Sequence, residues 1–345
     1  MDGYALSVNQ PRQIGTDVVV DSFRAAAAVL SAARDVTLLA HVNPDADSLG
    51  SALALGIALH RRGAIVRVAF ATPDAMPETL RPLDVLGLVV PPAQVPQRPD
   101  VVVSCDAAEP ARLGALAGRM TAARASIMID HHVSNPGFGE VQVLDPSAEA
   151  TVVLARGVLA ALGAPLDADV ARCLYAGLVT DTRGFRSAGS SAHRLAAELI
   201  DAGVEAEPLV RPIMDTHPYT WLAALGAALD RAELDLTAAG GLGLVHTTVP
   251  ASDVVSFRTE EVDSVVDVVR TAAEAEVALV LKQVGECRFA ASLRSKGTVD
   301  VAAVAGALGG GGHRAAAGFT ADGTAAELVG RVREALEPAR APIAC

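Results

Sequence analysis

The sequence predicts an α/β protein, with a doubly wound parallel sheet in its first half and a smaller α/β domain in its second. Short apolar runs alternate along the chain with helical runs, and this order favours a parallel sheet. The apolar runs do not alternate between apolar and polar residues, so both faces of the sheet should be buried. The length of 345 residues favours two domains over one.

The first domain is predicted at residues 16–210, after a loose tail at 1–15. Ser48 is the expected N-cap of the helix that follows the first strand, and Gly63 is its expected stop. The predicted strands are 35–42, 64–70, 100–106 and 125–130, and the predicted helices are 48–63, 150–163, 167–181 and 190–203.

A helical connector is predicted at 211–236, because the pattern around it is helical and loop-like without a strong strand. The C-terminal domain is predicted at 237–345. Its predicted strands are 241–249, 276–284 and 287–295, and its predicted helix is 299–309.

The formal net charge of −12 argues against a protein that coats long duplex nucleic acid or an anionic membrane. No apolar run approaches the ~18 residues of a membrane span, and the first residues lack a signal-peptide pattern. The four cysteines are scattered without a CxxC pair, which fits a reducing cytosol. We therefore expect a cytoplasmic protein.

The first candidate site is the segment HVNPDADS at 41–48, where a predicted strand ends and a helix begins. Ligands of open α/β sheets bind at the carboxyl ends of strands. The segment supplies three ligand-type side chains, His41, Asp45 and Asp47, and its Asn-Pro pair favours a turn that folds them inward. Taken alone, it could equally be an Asx-rich turn that caps the helix.

Three further acidic positions follow predicted elements. Asp106 ends a buried strand, although by itself it could cap a helix. Asp130 also ends a strand and is followed by His131 and His132, a pair that in an isolated loop would more often be solvated. Asp181 ends a helix, where a carboxylate opposes the helix dipole, so a nearby cation would explain it.

Together these segments predict a metal site, because the carboxyl ends of parallel strands meet at one edge of a sheet. Carboxylates combined with imidazoles suit Mn²⁺ or similar cations better than Ca²⁺. Acids gathered in one place would repel strongly unless cations neutralise them. The set has enough ligands for two ions with one bridging carboxylate, and two ions ~4 Å apart stabilise the oxygens that enter and leave in phosphoryl transfer.

The second half contains a glycine-rich segment, GALGGGGHRAAAG at 306–318, predicted as a loop between a helix and a strand. Such a loop can bring backbone N–H groups close to an anion, and the following His-Arg pair favours phosphate or carboxylate binding. The alternative interpretation of the segment is a flexible connection between two elements. By the same standard, the Arg-Ser-Lys sequence at 294–296 alone would be an ordinary solvated turn. The candidate substrate-binding residues of this half are Arg294, Lys296, Gly311, Gly312, His313 and Arg314.

Five segments resemble, in order and spacing, the DHH phosphoesterases with a DHH-associated C-terminal domain. They are HVNPDADSLGS, SCDAAEP, DHHVSN, TDTRGFR and GGGGHRAAAGF, and the likeness runs from about Val36 to Phe319. In length the chain looks like the oligoribonuclease/pAp-phosphatase branch, whose actinobacterial-type members also act as cyclic di-AMP phosphodiesterases. The resemblance implies an active site in the cleft between the two domains, and a homodimer.

The resemblance also implies two Mn²⁺ ions, with Mg²⁺ or Co²⁺ as substitutes. Asp106 would bridge them, Asp130 would orient the ligand His131 from behind, and His132 would contact the scissile phosphate. Asp106, Asp130 and His132 are thus the expected catalytic residues. The implied metal ligands are His41, Asp45 and Asp106 for one ion, and Asp47, Asp106, His131 and Asp181 for the other.

The implied substrates are short nucleotides: oligoribonucleotides of a few residues, pApA, cyclic di-AMP, or the 3′-phosphate of pAp. Aromatic residues are only 3% of the chain, so a long stacking platform for single strands is not expected. Asn135, Phe185 and Arg186 are further candidate substrate contacts. Two alternatives stay open: an inorganic pyrophosphatase or exopolyphosphatase with the same sheet, and a nucleotide sensor without turnover.

Overall fold

The computed structural model describes residues 16–254 and 259–337, so the tail expected at 1–15 lies outside the described residues. The chain divides into two compact units, Met1–Thr216 and His217–Cys345. The limits predicted for the two domains and the connector stay a prediction. Within the described residues, no helix is both long and apolar enough to cross a lipid bilayer.

The described part of the first unit contains one sheet, the helices around it, and short 3-10 turns. The 3-10 turns are Glu78–Leu83, Pro92–Gln94 and Pro110–Leu116. The strands are β1 (Asp35–Ala40), β2 (Ile65–Ala69), β3 (Val101–Cys105), β4 (Ala125–Asp130) and β5 (Val141–Leu144). The helices are α1 (Thr16–Ala32), α2 (Ala46–Arg61), α3 (Gly118–Ala122), α4 (Thr151–Ala161), α5 (Ala168–Asp181), α6 (Ser190–Asp201) and α7 (Ala206–Met214).

The five strands form a fully parallel sheet in the order β2-β1-β3-β4-β5. The predicted α/β class with a parallel sheet is therefore confirmed. The sequence reading missed β5, which is only four residues long and partly exposed, so it lacks the apolar run of the other strands. It also missed α1, which begins with a Val-Val-Val run that locally favours a strand.

Both faces of the sheet are covered. Leu38 and Ala40 of β1 join the large core formed with α1, α2, α4 and α5, whereas Leu39 joins a smaller core on the other side. That second core contains Leu113 of a 3-10 turn and Met120 of α3. Because both faces are buried, the strands carry continuous apolar runs rather than alternating ones.

The helix α2 begins at Ala46 with Asp45 as its N-cap, so the prediction of Ser48 as N-cap was wrong. Asp45 Oδ1 accepts hydrogen bonds from the N–H groups of Asp47 (3.1 Å) and Ser48 (2.9 Å), and Ser48 Oγ accepts one from the Asp45 N–H (3.2 Å). This reciprocal pair is a capping box. The predicted stop is confirmed, since the helix ends two residues before Gly63, whose φ is +88°.

Two glycines let α2 and α5 pack closely. A Cβ on Gly50 would lie 2.5 Å from the carbonyl oxygen of Cys173, and a Cβ on Gly177 would lie 2.9 Å from the Cα of Asp47. Both distances are shorter than van der Waals contact, so a larger residue would push the helices apart. The close approach places Asp47, near the start of α2, beside Asp181, the last residue of α5.

The described part of the second unit contains a six-stranded mixed sheet in the order β10-β11-β9-β8-β7-β6, in which only β7 and β8 pair in parallel. Its strands are β6 (Glu233–Asp235), β7 (Leu244–Val249), β8 (Val277–Gly285), β9 (Arg288–Ser295), β10 (Gly311–His313) and β11 (Ala316–Asp322). Its helices are α8 (Tyr219–Asp230), α9 (Ala238–Gly241), α10 (Ala251–Val254), α11 (Thr259–Val269), α12 (Val301–Ala307) and α13 (Ala325–Leu336).

Helices cover both faces of this second sheet. In β8, Val277, Leu279 and Leu281 face a core shared with α12 and α13, whereas Ala278 and Val280 face a core shared with α8 and α11. The smaller C-terminal α/β domain is therefore confirmed. The helices α11 and α13 and the short strand β6 were not predicted.

The glycine-rich segment 306–318 contains a β-hairpin, so its prediction as a loop was wrong. The strands β10 and β11 pair antiparallel, and Gly310 faces the carbonyl of Gly318 so closely that a Cβ would clash. Gly312 has φ +144°, and a Cβ there would lie 2.5 Å from the Cα of Ala317. Glycines disfavour strands on average, which is why the hairpin was not recognised.

Replacing Gly177 by Ala should lower the free energy of unfolding by about 1–3 kcal/mol, because the added methyl group meets the backbone of α2. The matched control is Gly118→Ala, in the same unit, where no neighbouring heavy atom lies within 4 Å of an added Cβ. That change should stabilise the protein by at most about 1 kcal/mol. Urea denaturation compares the two, and equal effects would contradict the close packing of α2 and α5.

Candidate metal centre

The carboxyl ends of three neighbouring strands bring the predicted site residues together. His41 follows β1, Asp106 follows β3, and Asp130 is the last residue of β4. From β1 the chain crosses to β2 on one side, and from β3 it crosses to β4 on the other side. Such a reversal of direction opens a crevice at the carboxyl edge of a sheet, where ligands of this architecture bind.

The first cluster surrounds the imidazole of His41, which is buried. Its Nε2 lies 3.4 Å from Asp45 Oδ2 and 3.5 Å from Asp106 Oδ2. Its Nδ1 lies 2.8 Å from the carbonyl oxygen of Val42, which fixes the proton on Nδ1. When the ring is neutral, this tautomer leaves the Nε2 lone pair directed at the two carboxylates, as a metal ligand requires.

The second cluster surrounds His131. Its Nε2 lies 3.7 Å from Asp106 Oδ1 and 3.5 Å from Asp181 Oδ2. Its Nδ1 lies 3.0 Å from the carbonyl oxygen of Ala148. Asp106 therefore turns one oxygen toward His41 and the other toward His131, which is the arrangement of a bridging carboxylate.

Asp130 contacts the imidazole of His132, whereas its predicted support of His131 stays a prediction. Asp130 is fully buried, and its Oδ1 lies 2.6 Å from His132 Nδ1. Its Oδ2 accepts a hydrogen bond of 2.6 Å from the Asn135 side-chain amide, which also donates to the carbonyl of Ala107.

These contacts give Asn135 a supporting position. Its side chain is buried, and its Oδ1 accepts a hydrogen bond from the N–H of Gly137 at 2.8 Å. A side chain with both ends engaged holds Asp130 in place, whereas its predicted role as a substrate contact stays a prediction.

Asp47 receives hydrogen bonds from the first turn of α4. The N–H of Thr151 donates to Asp47 Oδ2 at 2.7 Å, and the N–H of Val152 donates to Oδ1 at 2.9 Å. The hydroxyl of Thr151 donates to Asp106 Oδ1 at 2.7 Å. The sequence reading missed Thr151, whose position at the start of a helix gives no sign of two partners that are distant in sequence.

Two of the acids hold their protons more tightly than usual. Burial, together with the charges of Asp106 and Asp181, raises the pKa of Asp47 well above its ordinary value. Burial also raises the pKa of Asp181 to about 7, despite the neighbouring His131. Such shifts indicate a site with more negative charge than its own cations balance.

For the imidazoles of His41 and His132, neighbouring carboxylates outweigh the effect of burial on the pKa. Burial lowers the pKa of His41, but the carboxylates of Asp45 and Asp106 outweigh it and raise that pKa to about 10. Burial likewise lowers the pKa of His132, while its hydrogen bond to Asp130 raises it, with a net rise. Burial raises the pKa of Asp106, but the surrounding imidazoles outweigh burial and lower it.

The side chains fit a divalent cation. Carboxylate oxygens and imidazole nitrogens from several elements converge, and they are the ligands that Mn²⁺ and similar ions prefer. Three groups in the described residues each place their ligand atoms within 4.8 Å of one another. They are Asp106, His131 and His132; His41, Asp45 and Asp106; and Asp47, His131 and Asp181.

The loops that carry the site are held in unusual backbone conformations. Positive φ angles occur at Asn43 (53°), Asp106 (59°), Arg183 (53°) and Phe185 (66°). Non-glycine residues in this region cost about 1–3 kcal/mol each, although Asn and Asp tolerate it best. At Phe185, packing offsets this conformational cost, because the ring stacks on His193 at a centroid distance of 5.3 Å.

Of the other two predicted contacts in this unit, Arg186 is exposed in the loop after α5. Phe185 packs against Tyr175 and His193 within its own unit. Their contact with substrate stays a prediction.

In the second unit, two predicted cations have local partners. Arg294 lies at the end of β9, with its Nε 3.7 Å from Asp267 Oδ1. Lys296 Nζ donates to the carbonyl oxygens of Ala272 and Ala273. Both side chains are thus held near the end of one strand.

The His-Arg pair after the glycines lies in the β10–β11 hairpin. The backbones of Gly311, Gly312 and His313 form β10, whereas the side chain of His313 lies outside the described part. Arg314 is exposed and has its guanidinium 3.6 Å from Asp300.

Comparison with known proteins assigns the chain to a family. The model of the DHH family, N-terminal domain, matches residues 35–178, and the DHHA1 domain matches residues 247–341. The bifunctional oligoribonuclease and PAP phosphatase NrnA of Thermus thermophilus is 32% identical over 306 residues, which are 88% of this chain and 89% of that protein. The chain belongs to the DHH family. The predicted family is therefore confirmed.

Other DHH-family proteins share less of the sequence. A probable bifunctional oligoribonuclease and PAP phosphatase NrnA of Streptococcus mutans is 26% identical over 194 residues, covering 56% of this chain and 61% of that protein. An exopolyphosphatase-related protein from Bacteroides fragilis superimposes with a TM-score of 0.82 at 21% identity, covering 94% of this chain and 97% of its own. At that identity the structural likeness shows the DHH fold alone.

RecJ of Thermus thermophilus in complex with Mn²⁺ superimposes with a TM-score of 0.54 at 15% identity. The match covers 92% of this chain but 54% of RecJ. The larger protein thus contains the DHH fold together with further structure.

The pKa shifts predict that Mn²⁺ should stabilise the protein more at about pH 8 than at about pH 6. Both His41 and Asp181 have pKa values raised above their ordinary ones, so each favours the metal-free fold at low pH. This contribution is lost as pH rises, through about 7 for Asp181 and toward about 10 for His41. A cation must displace these protons, and it binds more readily once they leave.

The measurement is the rise in melting temperature on replacing EDTA by Mn²⁺ at the two pH values. Asp181→Asn introduces an amide that does not titrate, so it should reduce the difference in this rise between the two pH values. Asp322→Asn, in the second unit, should leave that difference unchanged. An equal rise at both pH values in the unmodified protein would contradict the expectation.

Proposed function

We propose that this chain is a Mn²⁺-dependent phosphoesterase that hydrolyses short nucleotides. The observation that carries the proposal is Asp106, whose two carboxylate oxygens face His41 on one side and His131 on the other. A bridging carboxylate between two imidazole-containing groups suits a pair of cations better than one. A protein that only bound nucleotides would have no need of this arrangement.

The proposed ligands come from the three groups of side chains, except that His132 is assigned to the phosphate. When bound, two divalent cations would lower the pKa of a water molecule and balance the charge on the phosphate oxygens. The first cation would be held by His41, Asp45 and Asp106, and the second by Asp47, Asp106, His131 and Asp181.

We propose that His132 binds the scissile phosphate. Asp130 engages His132 Nδ1 at 2.6 Å and helps to raise the pKa of the ring, so the protonated imidazole is favoured. A protonated imidazole carries an N–H at Nε2 as well as at Nδ1, and this second N–H is the proposed donor to a phosphate oxygen. Asn135 fixes Asp130 from behind, so the imidazole is oriented before substrate arrives.

The proposed substrates are oligoribonucleotides of a few residues, pApA, cyclic di-AMP and the 3′-phosphate of pAp. The relative from Thermus thermophilus, named as an oligoribonuclease and PAP phosphatase, supports the oligoribonucleotides and pAp among these. The net charge of −12 supports short substrates over long duplex nucleic acid, whose binding needs many basic contacts. The predicted homodimer stays a prediction.

A second candidate is an inorganic pyrophosphatase or exopolyphosphatase that uses the same metal centre. The shared fold with an exopolyphosphatase-related protein keeps this candidate open. The DHHA1 domain and its cationic residues near the end of β9 favour a nucleotide with a second anionic group.

Incubation with Mn²⁺ and a panel of substrates tests the proposal. The panel contains pAp, pApA, cyclic di-AMP, RNA of two to five nucleotides and pyrophosphate, with products separated by ion-exchange chromatography. We expect hydrolysis of at least one nucleotide. No turnover of any compound would contradict an enzyme, and cleavage of pyrophosphate alone would select the second candidate.

The matched inactive control in that panel is the double variant Asp130→Ala with His131→Ala. It should lose turnover by at least about 10³-fold, because it removes one proposed metal ligand and the support of His132. Circular dichroism checks that the fold is kept. Full Mn²⁺-dependent activity in this variant would contradict the proposed centre.

Arg294→Ala should raise KM about tenfold or more with little change in kcat, if the guanidinium binds a part of the substrate remote from the reacting phosphate. Arg288→Ala is the matched control, since it lies on the same face of β9 about 20 Å away. Steady-state kinetics on the preferred nucleotide separates the two constants. Equal losses in kcat and kcat/KM would instead place Arg294 at the transition state.

A further inference from the structure

We propose that Thr151 is a positioning residue that holds Asp47 and Asp106 at a fixed separation and sets which of their oxygens face the cations. The inference rests on the proposed function, since it concerns the same metal centre. Thr151 is assigned this role because its hydroxyl and its backbone N–H each donate a hydrogen bond to one of the two carboxylates.

The direction of both hydrogen bonds follows from elementary chemistry. An ionised carboxylate has no hydrogen to donate, so the hydroxyl of Thr151 must donate to Asp106 Oδ1 at 2.7 Å. The N–H of the same residue donates to Asp47 Oδ2 at 2.7 Å. One residue therefore ties an acid on α2 to an acid at the end of β3.

The first turn of α4 is built for this task. The N-cap of α4 is Ala150, which has no side chain that can accept the free N–H groups at the helix start. Asp47, more than a hundred positions earlier in the chain, accepts the N–H groups of Thr151 and Val152. The helix start and the metal ligand thus satisfy one another.

The hydroxyl is placed with little freedom. Thr151 is fully buried, and its β-branched side chain restricts rotation about χ1. The hydroxyl of Thr151 donates to Asp106 Oδ1 and so uses one lone pair of that oxygen. The other oxygen, Asp106 Oδ2, faces His41 Nε2 at 3.5 Å. A free carboxylate could rotate and present both oxygens to one side, whereas the tethered one keeps an oxygen toward each cluster.

Titration of the metal-free protein with Mn²⁺, followed by calorimetry without substrate, tests the inference. Thr151→Val removes the hydroxyl and keeps the branched shape and the backbone N–H, and it should weaken Mn²⁺ binding by about 10- to 100-fold. Thr151→Ser keeps the hydroxyl and should stay within about threefold of the unmodified protein. Should the Val variant fail to fold, Thr151→Ala takes its place in the same comparison.

The matched control is Thr37→Val, on β1. Thr37 is also fully buried in the first unit, but its hydroxyl has no hydrogen-bond partner among the described residues. Its replacement should leave Mn²⁺ affinity unchanged. Melting temperatures in EDTA report the effect of each variant on the fold alone.

Unchanged Mn²⁺ affinity and stoichiometry in Thr151→Val would overturn the inference, as would a lower melting temperature in EDTA with no change in affinity. An unmodified protein that binds no cation would overturn it as well. A protein whose Mn²⁺ affinity depends on Thr151 but which hydrolyses no nucleotide would leave the inference standing and refute the proposed function.

Discussion

The structure depends on the burial of several carboxylates at one edge of one sheet. Asp47, Asp106 and Asp130 are all nearly or fully buried there, where like charges repel far more strongly than in water. Each carboxylate is met by its own donors. The amides of α4 bind Asp47, imidazoles and a hydroxyl surround Asp106, and an imidazole with an amide binds Asp130.

These donors compensate some of the acids better than others. The pKa of Asp106 falls because imidazoles surround it, whereas the pKa values of Asp47 and Asp181 rise because their negative neighbours are not balanced. The protein therefore supplies part of the positive charge that the crevice needs. The remainder must come from bound protons or from a cation, so the way in which the fold places its acids favours binding of a cation.

Much of the fold and the centre could be predicted because strand ends are strong signals. His41, Asp106 and Asp130 follow buried apolar runs, and the parallel sheet brings such ends together. What could not be predicted depends on partners distant in sequence. Nothing near Thr151 indicates that it contacts Asp106, and nothing in the Asp-His-His segment shows which histidine the aspartate supports. The prediction of the glycine-rich segment failed for a related reason. The glycines that permit close pairing of its two strands are also typical of loops.

The capping box at the start of α2 couples the secondary structure to the kinetics of cation exchange. Asp45 binds the first helical amides through Oδ1 and faces His41 through Oδ2, and Asp47 lies in the same turn. If this turn unwinds, both acids leave the centre in one event. The lifetime of a bound cation would then be limited by fraying of a single helical turn, and cation binding would slow exchange of the amide hydrogens in that turn.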